Sequence, residues 1–103
     1  MTNGILSPIA SKRIRDLLLR SLDIFERKAN PENQIDGFLG EGLPEGTSFW
    51  SKAGLMSEVR HDAAWWSSQN ENPLLVVTFI NNKNLSKDPF LLPSIANELN
   101  KFE

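Results

Sequence analysis

The sequence predicts an α+β fold, a three-stranded antiparallel meander with one helix before it and one after it. Three stretches have the apolar patterning of β-strands and are joined by short polar turns, at 47–56, 59–67 and 74–80. The flanking stretches repeat apolar residues every three or four positions, which is typical of amphipathic helices. We expect both helices to pack on the sheet. With 103 residues, the whole chain, 1–103, is predicted to be a single domain.

The composition is that of an ordinary globular domain and excludes several classes of partner. Hydrophobic residues make up 40%, charged residues 23%, and the net charge is -2. A mildly acidic chain with scattered cations predicts no nucleic-acid binding. No apolar run approaches the ~20 residues of a membrane span, and Met1 to Leu6 lacks the layout of a signal peptide. We therefore expect no membrane partner and a cytoplasmic location for the chain as written.

The side chains present exclude thiol chemistry and give no basis for a metal centre. The chain has no cysteine and one histidine, His61, so we expect no disulfide, no metal and no bound cofactor. An enzyme based on the adjacent pair His61 and Asp62 is disfavoured as well. Neighbouring residues on a strand point to opposite faces, so the two cannot form a base and its orienting carboxylate directly.

The first helix is predicted to begin at Ser7-Pro8, where the serine can cap free N–H groups and the proline needs no partner. Ala29-Asn30-Pro31 ends it. The apolar residues that form one stripe between these limits are Ile14, Leu17, Leu18, Leu22 and Phe25. The stretch from Pro31 to Gly46 follows as an ordered loop anchored by three apolar side chains, Phe38, Leu39 and Leu43.

The first strand presents a lysine beside a glycine. Phe49, Ser51 and Ala53 share one face of this strand, and Trp50, Lys52 and Gly54 share the other. Because glycine has no side chain, a ligand can lie against the backbone there while the ammonium group sits next to it.

The second and third strands indicate a sheet that is larger than this chain. Trp65 and Trp66 are adjacent and must point to opposite faces, so we expect both faces to be covered. The stretch Leu74–Ile80 is apolar on both faces, as a central strand is, yet in a meander it lies at the edge. Either it pairs with a second copy of the chain, or strands that belong beside it lie outside this sequence.

The closing helix is predicted to begin near Asp88-Pro89. Pro93 fits only within or just after the first turn, so the start of the helix is left open. The residues on its apolar side are Leu92, Ile95, Leu99 and Phe102.

The order of these elements, from about Leu6 to Phe102, resembles the C-terminal part of class A β-lactamase-like serine hydrolases. The triplet Lys52-Ala53-Gly54 is similar to the Lys-Thr-Gly motif of that family. The resemblance implies a five-stranded antiparallel sheet whose first two strands are missing here, one of them pairing with the last strand of this chain. It also implies acyl transfer, in which a serine attacks an amide or ester carbonyl.

The resemblance implies roles for individual residues. Lys52 would attract the carboxylate of the substrate, Gly54 would permit close approach, and Leu55 would offer its backbone N–H as the second oxyanion donor. Arg60 or His61 falls where the family often carries a basic residue for that carboxylate. Either side chain could instead pair with an acidic neighbour, Asp62 or Glu58.

Two departures from the family limit the implied activity. Ala53 replaces a Thr or Ser whose hydroxyl would bind the substrate carboxylate, which counts against penicillin turnover more than against ester or peptide chemistry. No serine in the chain has a lysine three residues later, so the nucleophile motif is missing. Ser68-Gln69-Asn70 imitates Ser-x-Asn, but it follows the lysine strand and lies in a turn.

Two hypotheses follow. In the first, the chain is the C-terminal segment of a β-lactamase-like serine hydrolase, inactive alone, whose partner is the missing N-terminal part; the resemblance would make a full-length parent periplasmic. In the second, it is a free-standing, non-catalytic binding or dimerisation module that uses the edge of Leu74–Ile80, with a second copy as the partner.

Overall fold

The computed structural model describes residues 7–67 and 72–101. Predictions on Leu6, on Ser68-Gln69-Asn70 and on Phe102 lie outside these residues. The α-helices are α1 (Pro8–Leu18), α2 (Ile24–Lys28) and α3 (Leu91–Asn100), the strands are β1 (Leu19–Arg20), β2 (Ser48–Leu55), β3 (Val59–Ser67) and β4 (Leu74–Asn81), and short 3-10 helices lie at Leu39–Gly42 and Leu85–Lys87.

The strands form one antiparallel sheet in the order β1-β2-β3-β4. This confirms the α+β class and the meander of three long strands. The additional strand, β1, has two residues, which pair with Phe49 and Trp50. A strand of that length is too short to show any periodicity in the sequence.

The prediction of one long first helix is wrong, because two helices occupy that stretch. Ser7 caps α1 as expected, accepting a hydrogen bond from the Ala10 N–H at 3.1 Å. The helix then ends at Leu18, and Asp23 caps α2 by accepting from the N–H groups of Phe25 and Glu26 at 2.9 and 3.0 Å. A short acidic side chain offers the backbone a local alternative to a continuous helix, and the pairing of β1 with β2 occupies the residues between.

The break redistributes the predicted apolar stripe. Leu22 is buried, whereas Leu17 and Phe25 are 75% and 83% exposed. Ile14 and Leu18 are half-buried. The closing helix also differs in detail, since α3 begins at Leu91 and so places Pro93 within its first turn.

The hydrophobic core lies on one face of the sheet. α3 and the connector between α2 and β2 cover this face, and the predicted anchors Phe38, Leu39 and Leu43 are all buried. The core consists of Leu22, Ile35, Phe38, Leu39, Leu43, Phe49, Ala53, Ala64, Trp66, Leu92 and Ala96. The face of β2 that carries Phe49, Ser51 and Ala53 is therefore inside the protein.

The other side of the sheet, which we call the open face, carries Trp50, Lys52, Gly54, His61, Ala63, Trp65, Leu75, Val77 and Phe79. The three β4 side chains of this face, Leu75, Val77 and Phe79, are 70%, 68% and 74% exposed. Trp50 and Trp65 pack together here, with ring centroids 5.0 Å apart and an angle of 30° between the ring planes. Within the described part of the chain, β4 is an edge strand with one apolar face in solvent, so the expected cover is missing from this side.

Gly54 is required by the packing of the open face. It lies directly across from His61, whose ring stacks on Phe79 at 4.9 Å with an angle of 8° between the planes. A Cβ atom on residue 54 would lie 2.6 Å from His61 Cε1 and Nε2. The imidazole therefore occupies the space that any larger residue would need.

Asp62 is a buried carboxyl group in the core, 1% exposed. Its Oδ2 accepts a hydrogen bond from the Leu39 N–H at 3.0 Å, while Oδ1 has no partner among the described residues. Burial raises the pKa of Asp62 to about 6, against the smaller lowering effects of the Leu39 hydrogen bond and the charges of Arg20 and Lys52.

We expect Asp62 to make the protein more stable as the pH falls from 7 to 4. Its folded-state pKa of about 6 lies above the unfolded value of 3.8, so protonation favours the folded state; this stabilisation is complete below about 3.8 and is lost as the pH rises through about 6. The change is on the order of 3 kcal/mol. Urea denaturation across this range measures it.

The variant Asp62→Asn tests the assignment, because it keeps an oxygen for the Leu39 N–H but cannot titrate. We expect its unfolding free energy to lose most of the dependence on pH. Asp16→Asn is the control, since Asp16 is exposed and pairs with Lys12 on the surface. Equal pH dependence in Asp62→Asn and the wild type would contradict the assignment.

Gly54→Ala should destabilise the domain by about 1 to 3 kcal/mol, because the new methyl group collides with the His61 ring. The same substitution should cost less in a His61→Ala background, where the ring is gone. Chemical denaturation of the four proteins gives the coupling energy. Identical costs in the two backgrounds would show that His61 is not the obstacle.

Candidate functional site

The edge of β2 that faces away from β3 is free where the lysine and the glycine lie. β1 pairs with Phe49 and Trp50, so beyond Trp50 no described strand continues the sheet on that side. The Met56 N–H donates to the Val59 carbonyl at 2.8 Å. Because antiparallel pairs alternate, Gly54 and Lys52 direct their backbone groups toward β3, and Ala53 and Leu55 direct theirs to the free edge.

Two side chains occupy the backbone groups of Ala53 at this edge. The Ala53 N–H donates to Gln34 Oε1 at 2.9 Å, and Lys52 Nζ donates to the Ala53 carbonyl at 2.9 Å. Arg20 Nη2 lies 3.4 Å from the same Gln34 oxygen. The N–H of Leu55 is the next outward donor along the strand.

A cleft of about 710 Å³ lies against this end of β2. Its walls come from the end of β2, from β3, from the connector between α2 and β2, and from Pro89. The lining residues are Pro31, Glu32, Asn33, Gln34, Asp36, Gly37, Phe38, Glu41, Ala53, Gly54, Leu55, Arg60 and Pro89. The Leu55 N–H has no acceptor among the described residues, and the free edge that carries it borders a space that can hold a small molecule.

Arg60 is the cation that lines this cleft, and it is 7% exposed. Its Nε donates to the Ser86 carbonyl and its Nη1 to the Gly37 carbonyl, both at 2.7 Å, and its guanidinium lies 5.1 Å from the Phe38 ring centroid. Gly37 has a φ of 84°, and a Cβ there would lie 2.8 Å from Arg60 Nη1. Arg60 thereby joins the connector to β3.

Two of the carboxylates of the cleft are engaged by the protein itself. Asp36 forms ion pairs with Arg27 and Lys28 at 3.3 and 3.0 Å. Burial raises its pKa, but hydrogen bonds from Lys28 and Asn33, with the charges of Lys28 and Arg27, outweigh this and hold the pKa of Asp36 below its ordinary value. Glu41 Oε1 accepts from the Gly37 N–H at 2.6 Å.

Four of the six residues that the sequence singled out line the cleft, and Lys52 adjoins them on β2. Lys52, Ala53, Gly54 and Leu55 lie along the free edge, and Arg60 lines the cleft beside them. His61 lies on the open face, on the opposite side of the sheet from Arg60. Of the two basic residues left as alternatives, Arg60 lines the cleft and His61 does not. The chemical roles of all six stay predictions.

The ion pairs with Asp62 or Glu58 that were the alternative roles of Arg60 and His61 do not occur among the described residues. The hydrogen bonds of Arg60 go to backbone carbonyls instead. Sequence reasoning missed Gln34 altogether. Nothing in its sequence neighbourhood distinguishes it from any polar loop residue, because its contact with Ala53 spans 19 positions.

The described ranges also lack a metal centre and a membrane-spanning helix. No group of three or more His, Cys, Asp or Glu residues there could hold a metal ion. Likewise, none of the helices in those ranges combines the length and the apolar character that crossing a membrane requires.

Over most of its length, the chain is similar in fold to solved structures of known proteins. PBP-A is 17% identical with a TM-score of 0.72, over 97% of this chain and 34% of PBP-A; a PBP-A mutant at 18% identity, with the same TM-score and coverage, has been solved as an acyl-enzyme complex with penicillin G. An ancestral (GNCA) class A beta-lactamase is 16% identical with a TM-score of 0.74, over 97% of this chain and 35% of that one.

A beta lactamase from Xanthomonas campestris pv. campestris is 21% identical with a TM-score of 0.70, over 93% of this chain and 33% of that one. The chain thus spans about a third of the length of these solved structures. A search of curated proteins found no match. The sequence model of the beta-lactamase enzyme family matches residues 6–102, and the chain therefore belongs to that family.

Proposed function

We propose that this chain is the C-terminal segment of a β-lactamase-like serine hydrolase, which transfers acyl groups from an amide or ester. The segment supplies the Lys-Ala-Gly strand and one backbone donor for the oxyanion. The observation that supports this best is the free edge of β2, where Leu55 with its outward N–H lines a cleft and Lys52 Nζ donates to the Ala53 carbonyl. The acyl-enzyme that the PBP-A mutant forms with penicillin G is consistent with this chemistry.

The charges and donors of the edge fit the recognition of an acyl compound that carries a carboxylate. Arg60 lines the cleft, and Lys52 Nζ lies on the Ala53 carbonyl at its edge, so the site offers two cations to an anionic group. The Leu55 N–H points outward from a strand that is fixed by its ladder with β3. A donor held in place before the reaction stabilises a developing oxyanion without a cost of reorientation.

The nucleophile must come from residues outside this segment. No serine of the chain has a lysine three positions later, so the motif that activates the family nucleophile is missing, and the segment alone is inactive. We propose that the N-terminal part of the hydrolase supplies it. That part would also pair with β4 and cover the open face, and burying each exposed apolar side chain there is worth ~1.5 to 3 kcal/mol.

A second function is favoured by one observation, the exposed edge and face of β4. In this alternative, the chain is a free-standing and non-catalytic module that dimerises through the edge of Leu74–Ile80. The backbone groups of β4 alternate. The Asn82 N–H donates to the Glu58 carbonyl at 3.0 Å, so even-numbered residues face β3, and Leu75, Val77 and Phe79 direct theirs outward.

Covalent labelling tests the first function. We expect a β-lactam or a fluorophosphonate probe to leave the mass of the purified chain unchanged, because the activated serine is missing. Intact-mass spectrometry measures the adduct, and a class A β-lactamase treated in parallel is the positive control. An adduct on this chain by itself would show that it carries its own nucleophile.

Light scattering tests the alternative. If β4 joins two copies, the chain is a dimer at micromolar concentration, and Val77→Pro makes it monomeric by removing one outward N–H without touching the ladder with β3. Val76→Pro is the control, since it removes an N–H that faces β3 and should unfold the sheet. A wild-type chain that is a folded monomer would exclude the dimerisation module.

A further inference from the structure

We propose that Gln34 is a ligand-binding residue of the cleft, which donates hydrogen bonds from its side-chain amide to a carbonyl or carboxylate oxygen of the ligand. The inference rests on the proposed function of the same cleft and adds a specificity-determining residue to it. Three observations carry it: the fixed orientation of the amide, the rigidity of the loop that holds it, and its position at the cleft.

The hydrogen bonds of Gln34 determine which end of its amide is free. A backbone N–H can only donate, so the Gln34 atom 2.9 Å from the Ala53 nitrogen must be the oxygen. The guanidinium of Arg20, also a donor only, lies 3.4 Å from the same oxygen. The amide nitrogen is therefore the opposite end, and no oxygen of the described residues accepts a bond from it. Its two N–H groups are available to a ligand.

The loop around Gln34 is held on both sides. Asn33 Oδ1 accepts from the N–H groups of Ile35 and Asp36 at 3.0 and 2.8 Å, and Asn33 Nδ2 donates to the Arg27 carbonyl at 3.0 Å. Ile35 is 4% exposed in the core. The Gln34 side chain thus projects from a fixed backbone and is held by Ala53, so little conformational entropy is lost when it binds a ligand.

The position of Gln34 complements that of the strand. It lines the cleft together with Ala53, Gly54 and Leu55. The methyl group of Ala53 offers no hydrogen bond, and the Leu55 N–H is the next outward donor of β2. At Ala53 the edge of β2 offers a ligand no hydrogen-bond donor, because the Ala53 N–H is bonded to Gln34. The side-chain amide of Gln34 supplies donors at this point. A ligand with two oxygen acceptors meets donors from both Gln34 and Leu55 in the cleft, and Lys52 Nζ lies at the same edge of β2, on the Ala53 carbonyl.

A purely structural role must be separated from ligand binding, since Gln34 also caps the Ala53 N–H. Gln34→Glu keeps an oxygen for that N–H but removes both amide donors. Gln34→Met has nearly the same length and removes donor and acceptor. Ala53→Ser adds a hydroxyl to the neighbouring position of the edge, which can restore a donor for the ligand but cannot restore the cap.

The experiment is a titration of the full, ¹⁵N-labelled chain with N-acetylglycine, followed by NMR. We expect the Gln34 side-chain N–H signals, identified by their loss in Gln34→Met, to shift together with the Leu55 N–H and to give one Kd. Gln34→Glu and Gln34→Met should weaken binding about three- to tenfold, the value of one or two hydrogen bonds. In Gln34→Glu, hydrogen exchange at Ala53 should stay as in the wild type.

Rescue completes the test, because Ala53→Ser should recover binding in the Gln34→Met background.

A second probe, N-acetylglycinamide, lacks the carboxylate and shows which oxygen the Gln34 amide binds. The Gln34 signals should respond to both probes if the carbonyl is the acceptor and to N-acetylglycine alone if the carboxylate is the acceptor. Either response supports the inference.

Two results would overturn it, and they are distinguishable. If the Gln34 variants bind N-acetylglycine as the wild type does while Lys52→Met binds it weakly, Gln34 is structural and the proposed function of the cleft stands. If the wild type shows no shifts at Lys52, Leu55 or Gln34 up to the solubility limit of the probe, the proposed function of the cleft fails, and the role of Gln34 fails with it.

Discussion

The pairing of β2 with β3 determines which side chains meet at the candidate site. Its register sets Ala53 across from Asp62, Gly54 across from His61 and Leu55 across from Arg60. Because side chains alternate along each strand, this one register sends Arg60 to the core side and His61 to the open face. A shift by one residue would exchange the two faces and remove Arg60 from the cleft. The same ladder leaves the Ala53 and Leu55 backbone groups at the free edge.

Polar side chains attach the connector between α2 and β2 to the paired strands β2 and β3. Asp62 binds the Leu39 N–H and Arg60 binds the Gly37 carbonyl, so two adjacent turns of the connector are attached to β3 by side chains. Gln34 attaches the same connector to β2. These contacts build the cleft wall from a stretch without regular strands or long helices. Asp62 Oδ1 has no hydrogen-bond partner among the described residues, and a buried acceptor without a partner destabilises the folded state.

The sequence predicted the parts of the fold that depend on local pattern. The alternation of Phe49, Ser51 and Ala53 correctly placed these side chains on one face of β2, and the apolar pattern of Leu74–Ile80 correctly predicted a strand. It failed where distant contacts compete with periodicity. Pairing with β2 and the Asp23 cap break the first helix, although its apolar spacing continues to Phe25. The choice between Arg60 and His61 needed the register, and Gln34 needed the three-dimensional path of the loop.

We propose that these residues are one part of a larger hydrolase, and the mass of the native protein tests this proposal most directly. An antibody raised against this chain, used on extracts of the source cells, detects every protein that contains it. We expect a band about three times heavier than the 11.6 kDa of this chain, since the chain covers 34% to 35% of matched structures such as PBP-A and the ancestral β-lactamase. A single band at the mass of the chain itself would contradict the account and favour the free-standing module.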